Sequence, residues 1–232
     1  MRVGIMQPYF LPYIGYYQLI AAVDVFIVYD NIKYTKKGWI NRNRMLRNGT
    51  DVMFSLPLKK GSDYFYVVQR ELAGDFDRGK LLNQFRERYA HAPYFVQTYP
   101  MLEDIINSEE RNLFRYIYNA LLQSCEHLGL KTEIRISSDI EIDHEQKGQD
   151  KVIALCEAVG ADTYINAIGG IELYSREHFK AFSIDLNFIK SSSFEYPQFG
   201  STFVPWLSIV DVLMFNSLDT VHDCVTTNYE LV

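Results

Sequence analysis

Residues 2–29, RVGIMQPYFLPYIGYYQLIAAVDVFIVY, decide the fold class. Residues 2–6 read as a short buried strand. Pro8 and Pro12 lack an N–H and push the residue before each of them out of helical backbone, so residues 7–12 form a loop. Residues 13–23 follow as a helix, and residues 24–29 (DVFIVY) as a β-branched, aromatic strand of the buried kind. Strand, loop, helix and strand in this order open a parallel sheet with a right-handed crossover.

Downstream, residues 30–44 are polar, basic and irregular. Arg47-Asn48-Gly49-Thr50 is a hairpin turn signal leading into a strand over residues 52–58, and residues 67–72 read as another strand. Residues 75–127 are mainly helical. Asp75 caps a helix through Ala90, and Ser108 with Glu109 opens a long one through Leu128, closed at Gly129. Alternation then resumes, with strands over 133–136, 162–166 and 184–189. Helices cover 149–159, 175–182 (capped by Ser175) and the apolar stretch 207–215. The expectation is a single α/β domain over residues 1–232. It holds a Rossmann-like, mostly parallel sheet with an N-terminal βαβ unit and a helical insertion at about 75–128.

Composition narrows the function. Hydrophobic residues make up 48% of the 232 residues and charged residues 22%, which suits a packed core rather than a disordered or fibrous chain. A net charge of −6 and a pI near 5.4 exclude a general nucleic-acid binder. Cys125, Cys156 and Cys224 have no metal-ligand spacing and read as reduced, packed thiols, and the five histidines are scattered, so no metal site is expected. No apolar run is long enough for a membrane span and the N-terminus lacks a signal-peptide pattern, so a cytoplasmic protein without stable membrane insertion is expected.

Four segments could carry chemistry. The first is the loop after strand one, with Gln7 and Tyr13 at its ends. A helix starting near Tyr13, with Gly15 permitting close approach, would aim free N–H groups at an anion. The layout resembles nucleotidyltransferases of the HIGH-motif type, but Tyr13 and Tyr16 fall near their histidine positions, so the groups that handle phosphate there are absent. A plain turn packed by tyrosines is the alternative. The second is YDNIKYTKKGWINRNRMLR, residues 29–47. Lys33, Lys36, Lys37, Arg42, Arg44 and Arg47 cluster positive charge in an acidic chain and point to an anionic ligand such as a diphosphate or CoA. Arg42 or Arg44 suits bidentate phosphate binding, with Lys36 or Lys37 as a point charge. Asn41 and Asn43 suit sugar hydroxyls, and Trp39 offers a face to a sugar or base. Asp30, at a strand's carboxyl end, is placed to take a proton; a solvated basic hairpin is the plain reading. The third is Asn166, at a strand end ahead of Gly169-Gly170, where the alternative is an ordinary turn. The fourth is Ser208 and Asp211, which share a helix face, must find partners in an apolar segment, and either line a site or tie down neighbouring loops. Among the histidines, His91 in YAHAPYF is the candidate base, against a plain role as a helix cap.

On GIMQPYFLPYIGYYQLI, DVFIVYDNIKYTKKGWINRNRM, YAHAPYF, SSDIE and FVPWLSIVDVLMFNS the chain resembles the WbqC-like family of bacterial proteins. The motif positions carried over are Gln7, Pro8, Asp30, Lys36, Trp39, Asn41, Arg42 and Asn43. The resemblance leads one to expect a histidine near the proline of SFEYPQFG, where this chain has Glu195 and Tyr196. It implies a place in O-antigen or other surface-polysaccharide synthesis, with transfer of glycine or another acyl group to an amino sugar. The leading expectation is therefore an acyl or aminoacyl transferase acting on a nucleotide-linked amino sugar. Asp30 or His91 would accept the amine proton, and loop N–H groups or asparagines would hold the oxyanion. No tightly bound cofactor is expected; an acyl-CoA or an ATP-activated acid would be the co-substrate. Two alternatives stand beside it: nucleotidyl-type phosphate chemistry, and a non-catalytic sugar-nucleotide-binding module. The oligomeric state is left open.

Overall fold

The computed structural model describes residues 1–200 and 202–232. The chain opens with strand β1 (Arg2–Met6), helix α1 (Ile14–Ala21) and strand β2 (Val25–Val28), the βαβ unit expected. A hairpin of β3 (Arg42–Arg47) and β4 (Thr50–Ser55) follows, then α2 (Arg78–Tyr89), α3 (Phe95–Asn107) and α4 (Leu113–His127). The second half runs β5 (Glu133–Ile136), α5 (Gly148–Ala158), β6 (Thr163–Ala167), α6 (Arg176–Ala181) and β7 (Asp185–Ser191). It closes with α7 (Ile209–Phe215), α8 (Leu218–Thr227) and β8 (Tyr229–Leu231).

The main sheet has the order β5-β2-β1-β6-β7-β8, parallel except for β8, which pairs antiparallel with β7. From β1 the chain builds outward to β2 and β5, then returns to the other side of β1 to add β6 and β7. That is the doubly wound Rossmann order, with its reversal between β1 and β6. A mostly parallel sheet must be covered on both faces, and the all-buried VFIV of β2 shows it. Val25 and Ile27 face one way, onto Val3, Ile5, Val152 and Leu155. Phe26 and Val28 face the other way, into a larger core with Tyr17 and Leu19. Phe54, Phe85, Leu102 and Phe114 join that larger core, so the segment between β2 and β5 is packed onto one face of the sheet.

The tight hairpin turn is as expected, with Asn48 and Gly49 both left-handed at φ 50° and 75°. Several boundaries differ from the sequence reading. The strand expected over 52–58 is Thr50–Ser55, and residues 42–44, read as irregular, belong to β3, which pairs with it. Residues 67–72 form no strand: Val67–Gln69 is a 3₁₀ turn, because the N–H groups of Val67 and Val68 bond Ile32 and Asp30 carbonyls in the loop after β2. Asp77, not Asp75, caps α2, accepting from Lys80 N at 2.8 Å. The long helix expected from Ser108 is interrupted. Ser108 closes α3, the Glu110 carboxylate takes the N–H groups of Arg111 and Asn112 at 2.7 Å each, and Asn112 caps α4. Finally, α7 begins at Ile209 with Ser208 as its cap. Helix α8 and strand β8 fall outside the elements read from sequence. Among the described residues no helix is long and apolar enough to cross a membrane, and all three cysteines are free and buried.

Candidate functional site

The loop joining β1 to α1, residues 7–13, leaves the carboxyl edge of the sheet and is pinned along its length. Tyr16 Oη donates to Gln7 O at 2.9 Å, and Phe10 N to Ile40 O at 2.9 Å. Leu11 O accepts from both Asn43 Nδ2 and Ser208 Oγ, and Pro12 O accepts from Ile209 N at 2.8 Å. These bonds hold Leu11 in a left-handed conformation, φ 45°, that costs a leucine about 1–3 kcal/mol. Trp206 is left-handed as well, φ 60°, with its carbonyl bonded by Arg44 Nη2 at 3.1 Å. Non-glycine residues sit in this region where the surroundings over-determine them, often beside functional sites.

Several residues expected to meet a ligand turn out to build this frame. Asn43 is fully buried, and its Oδ1 accepts from Tyr9 Oη at 3.1 Å and Arg44 N at 2.8 Å. Asn41 accepts from Tyr34 Oη and donates to Leu56 O, both at 2.8 Å. Ser208 is a helix cap and a loop tie. Gly15 does permit close approach, but what approaches is the Tyr13 ring and, 2.8 Å from where a Cβ would stand, Ser191 Oγ. The Gly15 side of the first turn of α1 is therefore occupied by side chains. Lys36 projects into solvent and pairs with Asp63 at 2.6 Å, a surface contact of little energetic weight.

What the frame presents outward is aromatic and cationic. Trp39 is 39% exposed, with the Tyr9 ring 6.2 Å away and the Arg42 and Arg44 guanidinium groups 5.9 and 5.6 Å from its centre. Tyr13 packs edge-on against exposed Trp206 at 5.9 Å. Burial raises the Tyr9 phenol well above its ordinary range, so its hydroxyl stays a donor. Gln7, exposed at the end of β1, lies at the root of this face.

The carboxyl end of β2 builds a second polar cluster. Asp30 is buried, and its Oδ1 accepts from Ser137 Oγ at 2.8 Å and Ser138 N at 3.0 Å, just beyond β5. Asn31 Oδ1 accepts from Lys151 Nζ at 3.3 Å, and its Nδ2 donates to His144 Nδ1 at 2.9 Å. With Nδ1 accepting, His144 carries its proton on Nε2 and donates it to Ile140 O at 3.0 Å. Lys151 also donates to His144 O at 3.2 Å. Burial lowers the Lys151 ammonium pKa, with Asp30 and Glu145 opposing. Beside this cluster a cleft of about 360 Å³ opens between β2's end and α5, with Tyr29, Lys33, Tyr66, Lys147, Lys151 and Tyr174 among its walls. Sequence reasoning passed over Lys151, His144 and Ser137. The available signal was one lysine entering the apolar run KVIALC at the start of a helix.

The remaining candidates lie apart. His91 is exposed in the turn after α2, where its neighbours bond Tyr89 O and Met214 O, so the structure does not bring it to Asp30. Asn166 is buried at the end of β6, with Oδ1 on Ala167 N at 2.7 Å and its amide nitrogen filling the space a Cβ on Gly170 would need. Asp211 is fully buried and accepts from Tyr89 Oη (2.8 Å), Tyr196 Oη (2.7 Å) and Gln198 Nε2 (2.8 Å). Burial still raises its carboxyl pKa despite those donors. It ties α7 to α2 and to the segment around Tyr196, while Glu195 points to solvent. Among the described residues no group of His, Cys, Asp and Glu is arranged to hold a metal ion.

The model of the WbqC-like protein family matches residues 7–223, a span that includes the loop, the Trp39 face, the cleft and α7. A relative in Mycobacterium tuberculosis, uncharacterized protein Rv1507c, is 28% identical over 218 residues and is matched across 93% of each chain. No solved structure matches.

Proposed function

The chain belongs to the WbqC-like protein family, and from that premise we propose that it is a cytoplasmic transferase that places an acyl or aminoacyl group, glycyl included, on the amine of a nucleotide-linked amino sugar in surface-polysaccharide (O-antigen) synthesis. One observation carries the reading. At the carboxyl edge of a Rossmann-ordered sheet, where such folds bind nucleotides, a rigidly tied loop stands beside an exposed tryptophan flanked by two arginines. A sugar or base ring lies on Trp39, and Arg42 faces its phosphates.

The amine attacks the donor carbonyl, a C–N bond forms, and the thiolate of an acyl-CoA or the phosphate of an ATP-activated acid leaves. Asp30 Oδ2 takes the amine proton: Oδ1 is filled by Ser137 and Ser138, while Oδ2 accepts no hydrogen bond among the described residues. The donor is a co-substrate, and no tightly bound cofactor enters the scheme. Incubating nucleotide-linked amino sugars with acyl-CoAs, or with glycine and ATP, and reading product masses tests this. A protein-dependent acyl mass gain that falls about 100-fold in Asp30→Asn, the size of a lost general base, is expected. Full turnover in Asp30→Asn removes that residue from the scheme, and no mass change with any pair overturns the reaction. A second reading, a sugar-nucleotide-binding module, is favoured by the inward turning of Asn41, Asn43 and Ser208. It predicts ligand binding with no mass change.

A further inference from the structure

We propose that the cleft between the carboxyl end of β2 and the start of α5 is a binding site for a phosphate- or diphosphate-bearing small molecule, with the ammonium of Lys151 as its fixed anchor. The cleft borders the Asp30 cluster and none of the Trp39-face residues lines it, and anion binding there does not require the transfer reaction to be right.

Lys151 is only 8% exposed, yet it makes no ion pair among the described residues. Two of its three N–H groups meet neutral oxygens, Asn31 Oδ1 and His144 O, the ammonium lies 5.8 Å from the centre of the Tyr29 ring, and the third N–H makes no hydrogen bond among the described residues. Asp30 and Glu145 offset the burial of this ammonium only in part, since neither carboxylate is at ion-pair distance; a buried ammonium so weakly compensated lowers stability, and folds retain one where a ligand supplies further negative charge. The surroundings fit an anion of more than one charge. Lys33 and Lys147 reach the same cleft from its exposed rim, and Glu145 is the one carboxylate among its walls. That leaves three ammonium groups to one carboxylate in a protein of net charge −6.

The opening turn of α5 adds to this. Gly148, its first residue, lines the cleft, and Lys147 at the cap position offers no side-chain acceptor. The free N–H groups of the turn therefore have an anion's place before them. Asp150, the acid of that turn, does not fill it, because it is paired with His178 at 2.9 Å. Tyr29, Tyr66 and Tyr174 supply hydroxyls and ring faces around the opening, and burial keeps the Tyr29 phenol protonated as a donor. At about 360 Å³ the cleft lies in the range of small-molecule sites, roughly 300–1,000 Å³.

Isothermal titration calorimetry on the whole protein, with inorganic pyrophosphate, uridine diphosphate, uridine and acetate as probes, tests the assignment. Pyrophosphate and uridine diphosphate are expected to bind, with uridine and acetate at least tenfold weaker. Lys151→Met, close to isosteric and uncharged, is expected to lose about 30-fold or more in affinity for the phosphates, the weight of a desolvated charge–anion contact. Its ligand-free Tm should equal or exceed that of the wild type; a lysine whose role is structural would lower it. The exposed double variant Lys33→Gln/Lys147→Gln, whose fold is not at stake, should lose about tenfold, and Lys131→Gln, an exposed lysine elsewhere, should lose nothing. Wild-type protein that binds neither phosphate probe at millimolar concentration overturns the proposal. So does phosphate binding that survives both Lys151→Met and the double variant, or that is lost in Arg42→Gln alone. Anion binding at the cleft with a negative transfer assay would overturn the proposed reaction and leave this site standing.

Discussion

Asn43, Ser208 and Asp211 put polar atoms into apolar surroundings, and each finds partners inside the protein rather than in a ligand. Removing the side chain of Asn43 leaves the Leu11 carbonyl with Ser208 alone and strips Tyr9 of its acceptor. Asn43→Ala should cost about 1–3 kcal/mol of unfolding free energy, read by urea titration, and should weaken ligand binding at the Trp39 face. Asp211→Ala is the severer change, since it strips two phenols of their acceptor and leaves the Gln198 amide with Val204 O alone; a loss of about 3 kcal/mol or more is expected in the same titration. His127 gives a pH signature. Burial lowers its pKa, so the folded state disfavours the imidazolium. Stability is complete above the ordinary histidine value near 6.5 and falls as pH drops through it toward the lowered folded value. In His127→Gln that part of the acid loss should vanish, leaving the carboxylate losses at lower pH, where Asp24 and Asp162 with depressed pKa values protonate.

Among the elements, α1 shows how tightly the loop is set. Gly15 sits against the Tyr13 ring and Ser191 Oγ with no room for a methyl group. Gly15→Ala should therefore push Tyr13 or β7 aside at a cost of about 1–3 kcal/mol, with a changed tryptophan emission from Trp206 beside Tyr13. Local signals were strong enough to place β1, α1 and β2 from sequence, because prolines bound the loop and a run of buried-type residues marks the strand. The Asn48-Gly49 turn was equally plain, since both positions need positive φ. Helix starts were less so. Asp75 and Asp77 both look like caps, and Ser108-Glu109 looks like a start although it is a stop. The choice rests on Glu110 and Asn112 bonding their neighbours and the 3₁₀ turn near Val68.

Over the whole molecule, the larger hydrophobic cluster runs from the sheet face of β2 and α1 through the hairpin to α2, α3 and α4. Unfolding should accordingly be one cooperative transition, with far-ultraviolet circular dichroism and tyrosine fluorescence giving coincident midpoints in urea. Two separated midpoints would show that the inserted segment melts on its own. What the sequence determined by itself is whatever acts over neighbouring residues: the βαβ opening, the hairpin, the alternating second half and the clustering of positive charge after β2. Which polar side chains turn inward, and which meet, was decided by the tertiary structure. Asn41 and Arg42 are adjacent in the chain, yet one ties Leu56 and the other faces Trp39. Lys151 lies far from Asn31 in sequence and reaches it because α5 crosses the sheet face after β5. Strand pairing and crossover direction bring those residues together, and neither is written in any local pattern of residues.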